Sequence, residues 1–173
     1  MTAQVTFRQA DTRDLDTLVR LHDDAARWMV ANGIDQWRPG TRGPDHFRAR
    51  ISEGEVWLAL HGERAVGAYE LWWADEAVWG AQPPVAGYVH RLMTDRAAAP
   101  AGTGRVLLAH AEERIAAAGL GLARLDCEAR DPRLRSYYEG AGYAAVVERL
   151  DKVAADGREY SVTLMEKAVP PSS

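Results

Sequence analysis

The segment Ala101-Gly102-Thr103-Gly104-Arg105 places two glycines and an arginine where a helix begins. A helix start presents backbone N–H groups without intrahelical partners, at the positive end of the helix dipole. Glycines let an anion come close to that backbone. The chemistry this suits is the holding of a phosphate or pyrophosphate. Two familiar phosphate motifs do not match. A P-loop needs a Gly-Lys pair before Ser or Thr, and the chain contains no Gly-Lys. A dinucleotide fingerprint needs a third small residue three positions after Gly104, where Leu107 stands. Such a fingerprint also opens its fold, whereas this segment follows several strands.

The elements that must position the segment follow from periodicity and punctuation. Residues 5–9 alternate as an edge strand. Asp11 or Thr12 caps a helix whose apolar stripe is Leu15, Leu18, Leu21, Ala25, Trp28 and Met29, ended by Asn32-Gly33. Residues 34–44 read as a loop and 45–52 as a short helix. Strands are expected at 55–60 and 65–73 around His61-Gly62-Glu63, then at 85–93 after an irregular stretch, 74–84. A loop over 94–103 leads into a helix from Gly104 or Arg105 to Ala118, burying Leu107, Leu108, Ala111 and Ile115. A strand at 122–129, a helix opened by Asp131-Pro132, and strands at 143–150 and 159–165 complete the order. This is a mixed α/β sheet in one domain, with a frayed tail at 169–173.

Composition bounds the function. A chain of 173 residues with 47% hydrophobic and 27% charged residues suits one globular domain. No apolar run approaches 18 residues and residues 1–13 carry no apolar signal region, so a cytoplasmic protein without a membrane partner is expected. A net charge of −4 argues against nucleic-acid binding. The single cysteine, Cys127, excludes an internal disulfide and a cysteine metal cluster. His22, His46, His61 and His110 show no metal-ligand spacing, and no metal is expected. The six tryptophans read either as core or as the lining of a ligand cleft.

Two blocks carry a more specific resemblance. One is Val89-His90-Arg91-Leu92-Met93-Thr94 followed by the Gly102-Thr103-Gly104-Arg105 helix start. The other is Leu125-Asp126-Cys127-Glu128-Ala129-Arg130-Asp131-Pro132 followed by Tyr137-Tyr138-Glu139-Gly140-Ala141-Gly142-Tyr143. Together, over about residues 85–145, they resemble the acetyl-CoA motif and the strand, Asn-Pro and Tyr-Glu pattern of the GNAT superfamily. The resemblance implies the GNAT fold: one α/β (α+β) N-acetyltransferase domain over 1–168, with a mostly antiparallel central sheet of about seven strands and about four flanking helices. It departs where Ala99 replaces the family's Gln or Arg, where Pro100 lacks an N–H, and where Asp131 replaces Asn. A carboxylate at position 131 is best read as a helix cap.

The resemblance implies acetyl-CoA as cosubstrate, attacked directly by a primary amine, with a small molecule as the expected acceptor. Backbone groups of Leu92, Met93 and Thr94 would hold the pantetheine arm. Ala101, Gly102, Thr103, Gly104 and Arg105 would hold the pyrophosphate, with Asp131 and Tyr138 also near the cofactor; Arg96 is a further candidate for a phosphate. Tyr138 takes the role of general acid toward the leaving thiolate, since a phenol pKa near 10 lies close to that of a thiol. Tyr137 is read as core. His90 or Glu70 would serve as general base, or the amine loses its proton to solvent before binding. Trp28, Trp37 and Trp72 would shape the acceptor pocket, whose aromatic faces and nearby acidic residues suit a cationic amine. Homodimers are common in the superfamily. The rival readings are a CoA-sensing or partner-binding module without turnover, an acetyltransferase acting on a protein N-terminus or lysine, and a nucleotide-binding regulator.

Overall fold

Residues 4–171 are described by this computed structural model. They carry β1 (Thr6–Gln9), α1 (Leu15–Ala31), α2 (Pro44–Glu53), β2 (Glu55–His61), β3 (Arg64–Trp72), α3 (Glu76–Trp79), β4 (Ala86–Thr94), α4 (Thr103–Ala117), β5 (Leu122–Glu128), α5 (Pro132–Gly140), β6 (Ala144–Val153) and β7 (Glu159–Ala168). The seven strands form a sheet in the order β1-β2-β3-β4-β5-β7-β6. The β4–β5 pair is parallel; β1–β2, β2–β3, β5–β7 and β6–β7 are antiparallel. The expected strand and helix order holds. The stretch 74–84 is not wholly irregular, because α3 makes a single turn there, which brings the helices to five.

Local chemistry explains the boundaries. Asp11 accepts the Arg13 N–H at 2.8 Å and donates its own N–H to Asp14 at 2.9 Å, a reciprocal cap ahead of α1. Pro44 opens α2 after Gly43, where a missing N–H costs nothing. Gly54 closes α2 beside β3; a Cβ there would stand 2.4 Å from the Leu71 carbonyl oxygen, so only glycine allows this approach. Asp131 caps α5 through the Leu134 N–H at 3.1 Å, as its position before Pro132 predicts.

The contacts divide the described chain into two compact units, 4–72 with 89–111 and 73–88 with 112–171. The first has a core of Leu15, Leu18, Leu21, Phe47, Val56, Leu58, Ala68 and Met93. Each of the larger of these side chains taken fully from water contributes about 1.5–3 kcal/mol. In the second, Ala123, Leu125, Cys127, Tyr138, Tyr143, Val162, Leu164 and Met165 are buried. Val169 is also buried and donates its N–H to the Gly121 carbonyl at 2.9 Å, so the chain is held past the end of β7; Ser172 and Ser173 lie outside the described residues.

Candidate active site

The helix start in the first unit is built by the turn that precedes it. Asp95 closes β4, donating its N–H to the Val66 carbonyl at 2.8 Å. Its carbonyl accepts from the Ala98 and Ala99 N–H groups, and its buried carboxylate accepts from Ala97 N–H, Arg20 and Arg64. Burial pushes this carboxyl up, but the two arginines and the amide hold it below the usual range. Pro100, which donates no N–H, offers its carbonyl to the Thr103 hydroxyl at 2.6 Å and to the Thr103 N–H at 3.3 Å. Thr103 is therefore turned inward and buried, and its side chain is committed to the turn. Gly102 adopts φ +84 with open space where a Cβ would stand, and its carbonyl accepts from Val106 N–H. Among the described residues, these bonds use the Thr103 and Val106 donors and leave the Gly104 N–H at the mouth of a 15-residue helix.

Upstream, β4 carries Leu92, Met93 and Thr94. Met93 is fully buried in the core, while Leu92 and Thr94 are half-buried. The parallel register with β5 covers Ala86–Tyr88 and stops. Three residues on, Arg91 takes φ 48, the left-handed region that a non-glycine residue enters at a cost.

The kink aims Arg91 at Glu70. Glu70 stands on β3 with 0% exposure, and three donors converge on its carboxylate. His46 Nε2 lies 2.8 Å from Oε2, while Trp72 Nε1 and Arg91 Nη1 each lie 3.1 Å from Oε1. Burial raises the Glu70 pKa, but the bond from His46 and the charge of Arg91 outweigh it and hold the carboxyl below its usual range. Three donors hold the carboxylate in one orientation. His90 stacks on the Trp72 ring at 3.7 Å, so the imidazole expected as a base shares this cluster. Two members went unseen in the sequence. His46 reaches Glu70 across 24 positions and Arg91 across 21, spacings that no periodic pattern marks.

The second unit holds Tyr138. It is 9% exposed, and its ring meets Tyr137 and Tyr143 edge-on at 5.4 and 6.1 Å. Burial pushes its pKa well above that of a free phenol, with Cys127 adding to the shift. Cys127 is buried and pushed up to about 11, by burial first and by Asp126 second. Tyr137, expected in the core, is half-buried, and Tyr138 is the buried member of the pair. Asp131 caps α5, so its carboxylate is already engaged by a backbone donor.

All six tryptophans are half-buried, so neither a dry core nor open solvent describes them. Of the three expected at the acceptor pocket, Trp72 bonds Glu70, and Trp37 stacks on His22 at 5.2 Å. Trp28 lies elsewhere on α1, under the Arg96 guanidinium at 3.5 Å, which commits Arg96 to a ring. Arg105 is exposed on the first turn of α4.

A family model for the GNAT acetyltransferase domain matches residues 26–160, a span that takes in Glu70, the β4 kink, the helix start and Tyr138. The chain belongs to this family. As a GNAT acetyltransferase it is an acyltransferase enzyme. It is 29% identical over 137 residues to the uncharacterised N-acetyltransferase YesJ of Bacillus subtilis (strain 168), covering 75% of this chain and 76% of that protein. A GNAT-family acetyltransferase from Listeria monocytogenes shares the fold at a TM-score of 0.74 and 24% identity, over 97% of this chain and 98% of its own. The PaiA N-acetyltransferase of Thermoplasma acidophilum, solved in complex with coenzyme A, gives a TM-score of 0.70 at 16% identity, over 95% and 99%. Among the described residues no helix is long and apolar enough to cross a membrane.

Proposed function

We propose that this GNAT enzyme transfers the acetyl group of acetyl-CoA to a primary amine on a small molecule, as a cytoplasmic protein. The observation that carries the reading is the α4 start: a positive-φ glycine with no crowding, a Gly104 donor and a 15-residue helix dipole. These fit a pyrophosphate. Pro100 removes one donor, and its carbonyl fixes the turn in return. The family match and the coenzyme A held by PaiA support the same cosubstrate.

When bound, acetyl-CoA supplies a thioester carbonyl for the amine to attack. Ala101, Gly102, Gly104 and Arg105 hold its phosphates, and the backbone of Leu92, Met93 and Thr94 holds the arm. The amine must be neutral to attack, so a base is required. Two imidazoles, His46 and His90, belong to the Glu70 cluster. The 2.8 Å contact to a buried carboxylate favours His46, because it fixes the orientation of the ring. Glu70 is then a positioning residue. Tyr138 gives a proton to the departing sulfur, and its raised pKa keeps it protonated across the working range.

Thermal unfolding with acetyl-CoA, CoA, ATP and NAD tests the cosubstrate. A ligand at 100 times its Kd adds about 2.7 kcal/mol, which raises the midpoint by about 5–10 °C. A shift with acetyl-CoA and CoA alone is expected. No shift with saturating acetyl-CoA would contradict the proposal.

A further inference from the structure

The sheet ends in two unlike edges. β1 is four residues long, a short edge of the kind that does not invite pairing. β6 is ten residues long, pairs with β7 on one side and stands last in the strand order. It carries Val146, Val147 and Val153, three of the six large hydrophobic side chains exposed among the described residues, so apolar exposure is concentrated on this strand. Proline, a usual guard of an open edge, is absent from it. Ala154 donates its N–H to the Arg158 carbonyl at 2.8 Å, in line with the pairing of Lys152 with Tyr160 and Leu150 with Val162. Backbone groups alternate in direction along a strand, so those of Asp151 and Val153 point away from β7.

The charges of this edge are their own complement. Residues 147–153 run Val-Glu-Arg-Leu-Asp-Lys-Val. Turned antiparallel about Leu150, Arg149 meets Asp151, Glu148 meets Lys152 and Val147 meets Val153. Opposite charges across an antiparallel pair are favourable, and like charges directly opposite are not. A slip of one residue sets Glu148 against Asp151, or Arg149 against Lys152. A slip of two sets Arg149 or Asp151 against its own copy. Of these registers, the one centred on Leu150 alone brings no like charges together, which is how a strand specifies one pairing. We infer that β6 pairs with β6 of a second copy of this chain, antiparallel about a two-fold axis at Leu150. Such an interface closes at two chains. Arg149 and Asp151 form an ion pair within the strand at 3.0 Å and are 58% and 77% exposed, so Arg149 is placed to take Asp151 of the partner subunit instead. The ladder with β7 is irregular between Val147 and Leu150. The regular stretch from Leu150 to Val153 therefore supplies backbone groups, and the bulged stretch before it supplies side chains. The pairing does not depend on the acetyl-transfer reading.

Sedimentation velocity of the full chain, from about 1 µM to 1 mM, tests the pairing over the range of a small interface. A concentration-dependent equilibrium between one and two chains is expected. Arg149→Asp alone and Asp151→Arg alone each set like charges together twice, and each should weaken the dimer about 10–100-fold. An equimolar mixture of the two variants sets opposite charges together at both places, and should regain the dimer to within about threefold. The double variant, Arg149→Asp with Asp151→Arg, should regain it alone. Asp151 also accepts the Ser161 hydroxyl, so its variant loses a bond within the chain. Recovery on mixing cannot come from a misfolded chain, and it is the readout that separates lost pairing from lost folding. Arg27→Asp makes the same charge change on α1, where the side chain is exposed, and should leave the dimer unaltered. The inference is overturned if the chain stays a monomer throughout, if the single variants dimerise as well as the unaltered chain, or if mixing them restores nothing. Growth past two chains would overturn it too, because a two-fold contact closes.

Discussion

Glu70 in the first unit and Tyr138 in the second are both buried acids, and burial pushes both toward their neutral forms. Glu70 meets a histidine, an arginine and an indole donor, and its ionised form wins. Tyr138 meets two phenol rings, and burial, with a further charge effect from Cys127, favours its neutral form. Burial therefore does not decide which acid keeps its proton; the neighbours do. One region ends as a set of oriented charges, the other as a dry place that holds a proton.

The comparison breaks most visibly when Glu70 is removed. Glu70→Ala leaves Arg91 and His46 without their carboxylate, and removing one side of a buried pair costs about 3–5 kcal/mol. The thermal midpoint should fall by about 10 °C or more. A drop of only a degree or two would show that the carboxylate does not hold the cluster together. Asp95 is next, because it too is a buried carboxylate, but its arginines reach solvent. Asp95→Asn should cost about 1–3 kcal/mol and weaken acetyl-CoA binding by loosening the turn before α4, read by denaturant unfolding and by titration. Unchanged affinity would separate that turn from the cosubstrate site.

The pH dependence of stability gives a smaller contrast, with opposite signs in the two regions. The folded pKa of Glu70 lies below its unfolded value. Its contribution is complete above the unfolded carboxylate range and is lost as pH falls through the folded value. Cys127 is the reverse. Its folded pKa is about 11, above an unfolded value near 8.5, so its contribution is present below the unfolded pKa and is lost between about pH 9 and 11. Midpoints measured across pH should show Glu70→Gln flattening the acid side alone and Cys127→Ala the alkaline side alone. The smallest effect belongs to Gly102→Ala. Its φ of +84 makes the change cost about 1 kcal/mol, with no clash to add, as an unfolding curve would show.

The order of strands and helices was legible because apolar periodicity and caps are local signals. Asp131 before Pro132 and the two glycines at the start of α4 announced themselves for that reason. The Glu70 cluster was not legible as a cluster. Its members lie on α2, β3 and β4, and only the sheet and the close end of α2 at Gly54 bring them together. The Tyr138 environment was hidden for another reason. Spacing names a phenol and its helix face, whereas the pKa depends on what closes over it. The same holds for Thr103, whose residue type suggests a ligand contact and whose hydroxyl instead closes the turn on Pro100.

We attribute the supply of a proton to the buried phenol of Tyr138 and the binding of acetyl-CoA to the start of α4. Tyr138→Phe separates the two roles when acetyl-CoA affinity and thiol release are measured on the same sample. Affinity should stay within about twofold of the unaltered chain and turnover should fall about 100-fold or more, as for loss of a general acid. Turnover left intact, or loss of affinity together with turnover, would return Tyr138 to the role of a packed core residue.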